Sequence, residues 1–123
     1  MRSRSLMLGV AMAGFLASAA HADMTEGGIK IGVLTDMSGT YSDLSGGGSV
    51  WSAKKAVEDY LKAKPGLKVE VIAADHQNKA DISANTARQW YDVDKVDVIV
   101  DLVTSSTALA VNQIAKEKNK VAL

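Results

Sequence analysis

No cysteine occurs among the 123 residues of the chain. Its absence excludes disulfide bonds, thiolate catalysis, and the zinc or iron–sulfur sites that depend on cysteine ligands. A net charge is also missing, because 14 basic residues balance 14 acidic ones. Without a broad basic surface the chain has little to hold the phosphates of a nucleic acid, so nucleic acid is not an expected partner.

Motifs for nucleotide binding and catalysis are absent as well. No lysine follows the glycines at residues 46–48 until Lys54, which rules out a Walker phosphate loop, and "GGGSVW" does not complete the G-x-G-x-x-G dinucleotide fingerprint. The sequence has two histidines and neither a G-x-S-x-G elbow nor an H-E-x-x-H zinc motif. Aspartates between residues 92 and 101 are spread over a turn and a predicted strand, which argues against a shared metal site. We therefore expect no cofactor, no metal and no enzymatic activity.

The amino terminus has the three parts of a secretory signal peptide. Two arginines precede an uncharged, mostly apolar run at residues 6–17, and the small residues Ala20 and Ala22 follow it. The run is shorter than the roughly 20 apolar residues that a membrane-spanning helix needs. We predict a signal peptide at residues 1–22, whose removal leaves a domain of residues 23–123.

After the signal the sequence alternates between strand and helix patterns. Apolar, β-branched runs predict strands at residues 29–35, 67–74 and 96–103, and the beginning of a fourth strand at residues 121–123. Apolar residues recur at helical spacing from Val50 to Leu61, from Ile82 to Trp90 and from Ala108 to Ala115. This order predicts an α/β fold with a doubly wound parallel sheet, helices on both faces and right-handed crossovers. Because three full strands would leave an unpaired edge, we expect the chain to be truncated or to pair with a second fragment.

Two loops of this fold have the composition of a binding site. Ligands of open parallel sheets lie beyond the carboxyl ends of the strands, where neighbouring strands send their helices to opposite faces. If the first strand is central, the loops "DMSGTYSDLSGGG" (residues 36–48) and "TSST" (residues 104–107) flank that point. Both are rich in hydroxyls and backbone amides and both lead into a helix, whose N-terminus holds a carboxylate without any lysine or arginine. Such loops favour binding of a small molecule.

Simpler structural interpretations fit the same residues. The hydroxyls of residues 105–107 also fit helix N-caps, and the glycines at 46–48 also fit a flexible turn. Asp43 either pairs with a ligand amine or, as we expect, faces water. We interpret His76, in the loop after the second strand, as a surface residue. Two tryptophans at helical positions are interpreted as packing residues: Trp51 and Trp90.

Three segments in order carry a resemblance to a known family. They are "IKIGVLTDMSGTYSDLSGGGSVWSAKKAVEDY", "VEVIAADHQNKADISANTARQW" and "VDVIVDLVTSSTALAVNQIAKEKNKV". Together, over residues 29–123, they resemble the amino-terminal part of the periplasmic substrate-binding proteins of branched-chain amino acid ABC transporters. The resemblance implies part of the N-terminal lobe of a two-lobed type I periplasmic binding fold, a periplasmic location and an ABC permease as membrane partner.

The resemblance also implies the site residues and the ligand class. Ser105, with Ser106 and Thr107 beside it, is expected to contact the ligand carboxylate. Contacts to the body of the ligand are expected from Tyr41, Ser42 and Leu44. The expected function is a solute receptor of an ABC importer for an amino acid, an aromatic acid or a small amide. Two alternatives remain open, an exported α/β enzyme and a sensory ligand-binding domain.

Overall fold

The computed structural model describes residues 27–123 as four strands and three helices that alternate along the chain. They are β1 (Ile29–Thr35), α1 (Gly46–Ala63), β2 (Val69–Asp75), α2 (Ala80–Asp92), β3 (Val98–Val100), α3 (Ser105–Glu117) and β4 (Val121–Ala122). The predicted signal peptide at residues 1–22 lies outside the described residues. Within residues 27–123, no helix has the length and apolar character that a membrane span requires.

Two of the element boundaries that differ from the sequence prediction are explained by the backbone. Helix α1 begins at Gly46 rather than near Val50, because the Gly46 N–H donates a hydrogen bond of 2.9 Å to the hydroxyl oxygen Oγ1 of Thr35. Strand β3 ends at Val100, because Asp101 has a φ of +69° that turns the chain out of the extended conformation.

The four strands form one parallel sheet in the order β2-β1-β3-β4. Strand β1 is therefore central, and its Thr35 pairs with Asp75 of β2 while its Val33 pairs with Val100 of β3. Helix α1 contacts β1 and β2, whereas α2 and α3 pack against each other on the opposite face. The predicted doubly wound parallel sheet is confirmed.

The main core lies between the sheet and the pair α2 and α3. Gly32 of β1 leaves room for the ring of Trp90, because a Cβ at residue 32 would collide with that ring. The Tyr91 hydroxyl donates to the carbonyl oxygen of Val121 at 2.8 Å and so ties α2 to β4. Full burial of an apolar side chain contributes about 1.5–3 kcal/mol. The buried members of this core are Leu34, Ala87, Trp90, Tyr91, Val96, Ile99, Val111, Ile114 and Ala115.

The two tryptophans have opposite environments. Trp90 is 6% exposed in the core, which confirms its interpretation as a packing residue. Trp51 is 67% exposed, so the same interpretation is wrong for Trp51. Helix α1 turns the stripe from Val50 to Leu61 toward the sheet, and Trp51 lies outside that half-buried stripe.

Candidate functional site

The carboxyl ends of β1, β2 and β3 meet at one edge of the sheet, which we call the carboxyl edge. Its loops are residues 36–45, 76–79 and 101–104. The loop after β1 leads into α1 on one face, and the loop after β3 leads into α3 on the other. Since β1 and β3 are neighbours, the switch point of the sheet lies between these two loops, as predicted.

Asp36 folds the loop after β1. Its side chain is fully buried, and its carboxylate accepts hydrogen bonds from the backbone N–H groups of Gly39 at 2.7 Å and Tyr41 at 2.9 Å. A Cβ at residue 39 would lie 2.5 Å from the Asp36 carboxylate, so only glycine permits this close approach. The buried Asp36 carboxylate therefore fixes the backbone of the loop between Gly39 and Tyr41.

The three glycines that follow form the first turn of α1, so their interpretation as a flexible turn is wrong. Gly46 has a φ of +58°, and a Cβ there would lie 3.0 Å from the carbonyl oxygen of Asp36, which explains the first glycine. Around Gly47 and Gly48 a Cβ would meet open space. The N-cap residue Ser45 makes no side-chain capping hydrogen bond, because its hydroxyl donates to the Tyr41 carbonyl instead. The first turn of α1 thus presents its backbone without bulky side chains at the carboxyl edge.

Asp75 joins the loop after β1 to the loop after β2. Its carboxylate accepts from the N–H of Met37 at 2.9 Å, the hydroxyl of Ser38 at 2.5 Å and the N–H of Gln77 at 2.8 Å. Burial opposes the charged form of Asp75, but these three hydrogen bonds outweigh it and lower the pKa of the carboxyl group. Asp75 is therefore an ionised clamp between the two loops.

The start of α3 separates its three hydroxyl residues into two environments. Ser105 and Ser106 are exposed in the first turn, whereas Thr107 is fully buried. The Thr107 hydroxyl donates to the Thr104 carbonyl and shares a hydrogen bond with the Thr104 hydroxyl, both at 2.9 Å. The N-cap residue is Thr104, and no side chain makes the capping hydrogen bond, so the capping interpretation of residues 105–107 is wrong.

The predicted contacts to the body of the ligand lie in the loop after β1. Tyr41 is 37% exposed and Leu44 is 78% exposed, while Ser42 is half-buried. The Tyr41 carbonyl accepts hydrogen bonds from the N–H groups of Leu44 at 2.9 Å and Ser45 at 3.1 Å, which makes a tight turn. Asp43 is exposed, as expected. All six predicted site residues belong to the two loops or first helical turns beside the switch point, and their contact with a ligand stays a prediction.

His76 is fully buried, so its interpretation as a surface residue is wrong. It directly follows β2 and continues the alternation of Ile72 and Ala74, two residues that pack against the core. That period of two was the signal that sequence reasoning missed. Burial lowers the pKa of His76, and the negative charges of the nearby aspartates oppose this shift. Three residues that directly follow β1, β2 and β3 form what we call the strand-end cluster: Asp36, His76 and Asp101.

This geometry defines a doubly wound α/β module whose switch point lies between the loops after β1 and β3. The profile of the family described as "Periplasmic binding protein" matches residues 28–123. The chain therefore belongs to the periplasmic binding protein family, and the resemblance found in the sequence is confirmed.

Solved structures of ABC transporter binding proteins share this fold. A periplasmic binding protein from Burkholderia mallei is 46% identical, with a TM-score of 0.71 over 78% of this chain and 26% of that chain. A branched chain amino acid ABC transporter periplasmic ligand-binding protein from Burkholderia xenovorans is also 46% identical, with a TM-score of 0.71 over 76% of this chain and 25% of that one.

A more distant relative carries a bound ligand. The solute binding protein of an ABC transporter from Rhodopseudomonas palustris, in complex with 3,4-dihydroxy benzoic acid, is 25% identical, with a TM-score of 0.63 over 79% of this chain and 26% of that chain. The chain thus spans about a quarter of the length of these solved relatives. No curated protein sequence matches it.

Proposed function

We propose that this chain is part of the solute receptor of an ABC importer, and that it binds an amino acid or a related small carboxylate at the carboxyl edge. The observation that carries the proposal is the pair of helix starts, α1 and α3, whose N-cap side chains make no capping hydrogen bond and which approach the switch point from opposite faces of the sheet. Helix N-termini carry free N–H groups and a partial positive charge, which together bind an anion.

The charges of the two loops support a singly charged carboxylate as the ligand. Residues 36–49 and 101–107 contain no lysine, arginine or histidine, and their ionisable side chains are acidic apart from Tyr41. A ligand with several negative charges would be repelled by these aspartates, whereas one carboxylate needs only neutral donors. The exposed hydroxyls of Ser105 and Ser106 are such donors beside the first turn of α3.

The relatives support the same ligand class. One is a binding protein of a branched chain amino acid transporter, and another holds 3,4-dihydroxy benzoic acid. Both ligand classes contain a carboxylate, although their other groups differ. We infer that the loop of Tyr41, Ser42 and Leu44 contacts the variable part of the ligand, while α3 receives the carboxylate.

The remaining parts of the proposal follow from family membership. Residues 1–22 act as the export signal, residues 23–123 contribute to the periplasmic ligand-binding domain, and an ABC permease receives the ligand. In a two-lobed receptor a second lobe covers the ligand from the other side of the cleft and removes it from water. The described residues supply one side of that cleft.

A ligand pair that differs only at the carboxylate tests the proposal. L-leucine would be compared with L-leucinamide, and 3,4-dihydroxybenzoate with 3,4-dihydroxybenzamide. Each ligand would be titrated by calorimetry into this chain and into the protein that the full reading frame encodes. We expect at least one carboxylate to bind and its amide to bind about 100-fold more weakly, because the amide lacks the negative charge. Equal binding of an acid and its amide, or no binding of either acid by the full reading frame, would refute the proposed ligand class.

A further inference from the structure

His76 has one side-chain atom that the described residues leave without a partner. Its Nδ1 accepts a hydrogen bond from the Asn78 N–H at 3.0 Å, so the proton of the neutral ring lies on Nε2. Within residues 27–123, this Nε2 is buried and makes no hydrogen bond. A buried N–H donor without an acceptor is costly, so His76 requires an acceptor at this position.

Asp101 offers the complementary atom. Its Oδ2 is also buried without a hydrogen-bond partner in the described part of the chain. A carboxylate oxygen only accepts hydrogen bonds, whereas Nε2–H only donates them. Asp101 begins the loop that leads to α3, and its left-handed φ of +69° is unusual for a residue other than glycine. An additional contact to its side chain would hold this backbone conformation.

The other acidic groups near His76 are already occupied. The charges that act on its imidazole come from Asp36, Asp75 and Asp101, one from each of the three neighbouring strand ends. The oxygens of Asp36 accept from two backbone N–H groups, and those of Asp75 accept from three donors. Asp101 is therefore the acidic neighbour with a buried oxygen available to accept from His76.

We propose that one buried water molecule joins the His76 Nε2–H to the Asp101 carboxylate, and that through this bridge His76 is a positioning residue for the start of α3. No direct hydrogen bond joins the two side chains within residues 27–123, and water both accepts from an N–H and donates to a carboxylate. The bridge itself is independent of the ligand. Its consequence for Ser105 and Ser106 rests on the proposed function.

Acid should destabilise the fold around His76. Burial lowers the pKa of His76 below its ordinary value of 6.5, and the charges of Asp36, Asp75 and Asp101 oppose that shift. Because the unfolded chain binds the proton more readily, the stability contributed by neutral His76 is present above pH 6.5 and is lost as the pH falls below it. Protonation also removes the lone pair that accepts the Asn78 N–H.

Nitrogen NMR of the chain labelled with 15N-histidine tests the state of the ring. We expect the Nε2–H tautomer near neutral pH, a water contact to that proton, and no titration at the ordinary value for histidine. The signal is assigned by its loss in His76→Gln, since the chain has only two histidines. An Nδ1–H tautomer, or titration like that of an exposed histidine, would overturn the bridge.

A double-variant cycle tests the coupling between the two side chains. The melting temperatures of His76→Leu, Asp101→Ala and the double variant would be compared, with Asp43→Ala as the matched control because Asp43 is exposed. We expect the melting temperature of the double variant to be at least about 4 °C higher than the sum of the two single decreases predicts. The changes in melting temperature caused by His76→Leu and by Asp43→Ala should be additive. Additive losses for His76→Leu with Asp101→Ala would overturn the bridge.

Ligand affinity tests the positioning role separately. In the full reading frame, His76→Leu should weaken binding of L-leucine or 3,4-dihydroxybenzoate by about fivefold or more, and His76→Gln should restore most of it, because glutamine keeps a donor. Unchanged affinity in His76→Leu would overturn the positioning role. If the unmodified protein bound neither ligand, the proposed function and the positioning role would both be refuted. NMR and the double-variant cycle would still decide whether the bridge exists.

Discussion

Replacing Asp36 by asparagine tests how the loop after β1 is held. The carboxylate of Asp36 is fully buried and accepts hydrogen bonds from the N–H groups of Gly39 at 2.7 Å and Tyr41 at 2.9 Å, one on each oxygen. Asparagine has nearly the same shape but a single acceptor oxygen. Asp36→Asn therefore sets an NH₂ group against one of the two backbone donors and leaves that donor without a partner.

The expected cost follows from these contacts. A hydrogen bond to a charged group contributes about 1.5–3 kcal/mol, and an orphaned buried donor adds to its loss. Part of this cost is offset because burying a neutral amide costs less free energy than burying a charged carboxylate. We expect Asp36→Asn to lower the free energy of unfolding by about 2–3 kcal/mol, which lowers the melting temperature of a domain of this size by roughly 10–20 °C.

Thermal denaturation followed by circular dichroism measures this effect. The matched control is Asp43→Asn, which makes the same chemical change at an exposed residue of the same loop and should alter the melting temperature by less than about 3 °C. If Asp36→Asn were as stable as Asp43→Asn, the two short hydrogen bonds would contribute no net stability. The loop after β1 would then be shaped by its glycines and its turn alone.

Three further changes test other parts of the structure. Gly32→Ala should lower the free energy of unfolding by about 1–3 kcal/mol in urea denaturation, because the new Cβ collides with Trp90. Gly47→Ala places its Cβ in open space and should be neutral or stabilising. Equal effects of the two substitutions would contradict the packing of Gly32 against Trp90. Because hydrogen bonds lower the pKa of Asp75, its contribution to stability is lost as the pH falls below 3.8. Asp75→Asn should therefore make stability depend less on pH in acid denaturation monitored by fluorescence. An unchanged acid profile would contradict that role. Ser105→Ala should weaken carboxylate binding by about 1–3 kcal/mol in titration of the full reading frame, and unchanged affinity would remove Ser105 from the site.

Local patterns were sufficient to predict the elements and their order. Strand β1 was predicted with its observed bounds, and the helical spacing from Ala108 to Ala115 lies within α3. The parallel sheet followed from the strand and helix order, because short crossovers are right-handed and leave few arrangements. Element ends were less accurate. Asp101 ends β3 through a positive φ, which no apolar pattern indicates.

The location of the switch point was predictable, but the contacts around it were not. The glycine and hydroxyl content of the loops after β1 and β3 marked both sides of the switch point. The hydroxyls of Ser105 and Thr107 look equivalent in the sequence, yet one is exposed and the other is fully buried against Thr104. Helix geometry separates them, because residues two positions apart lie on different faces of a helix.

Sequence by itself determined the strands, the helices and the class of fold, since the period of apolar residues reflects which face of each element is buried. Tertiary structure alone decided the burial of His76, the exposure of Trp51 and the role of Asp75 as a clamp. The physical reason is distance along the chain. Asp75 accepts from Met37, a residue 38 positions away, and only the register of β1 against β2 brings the two together.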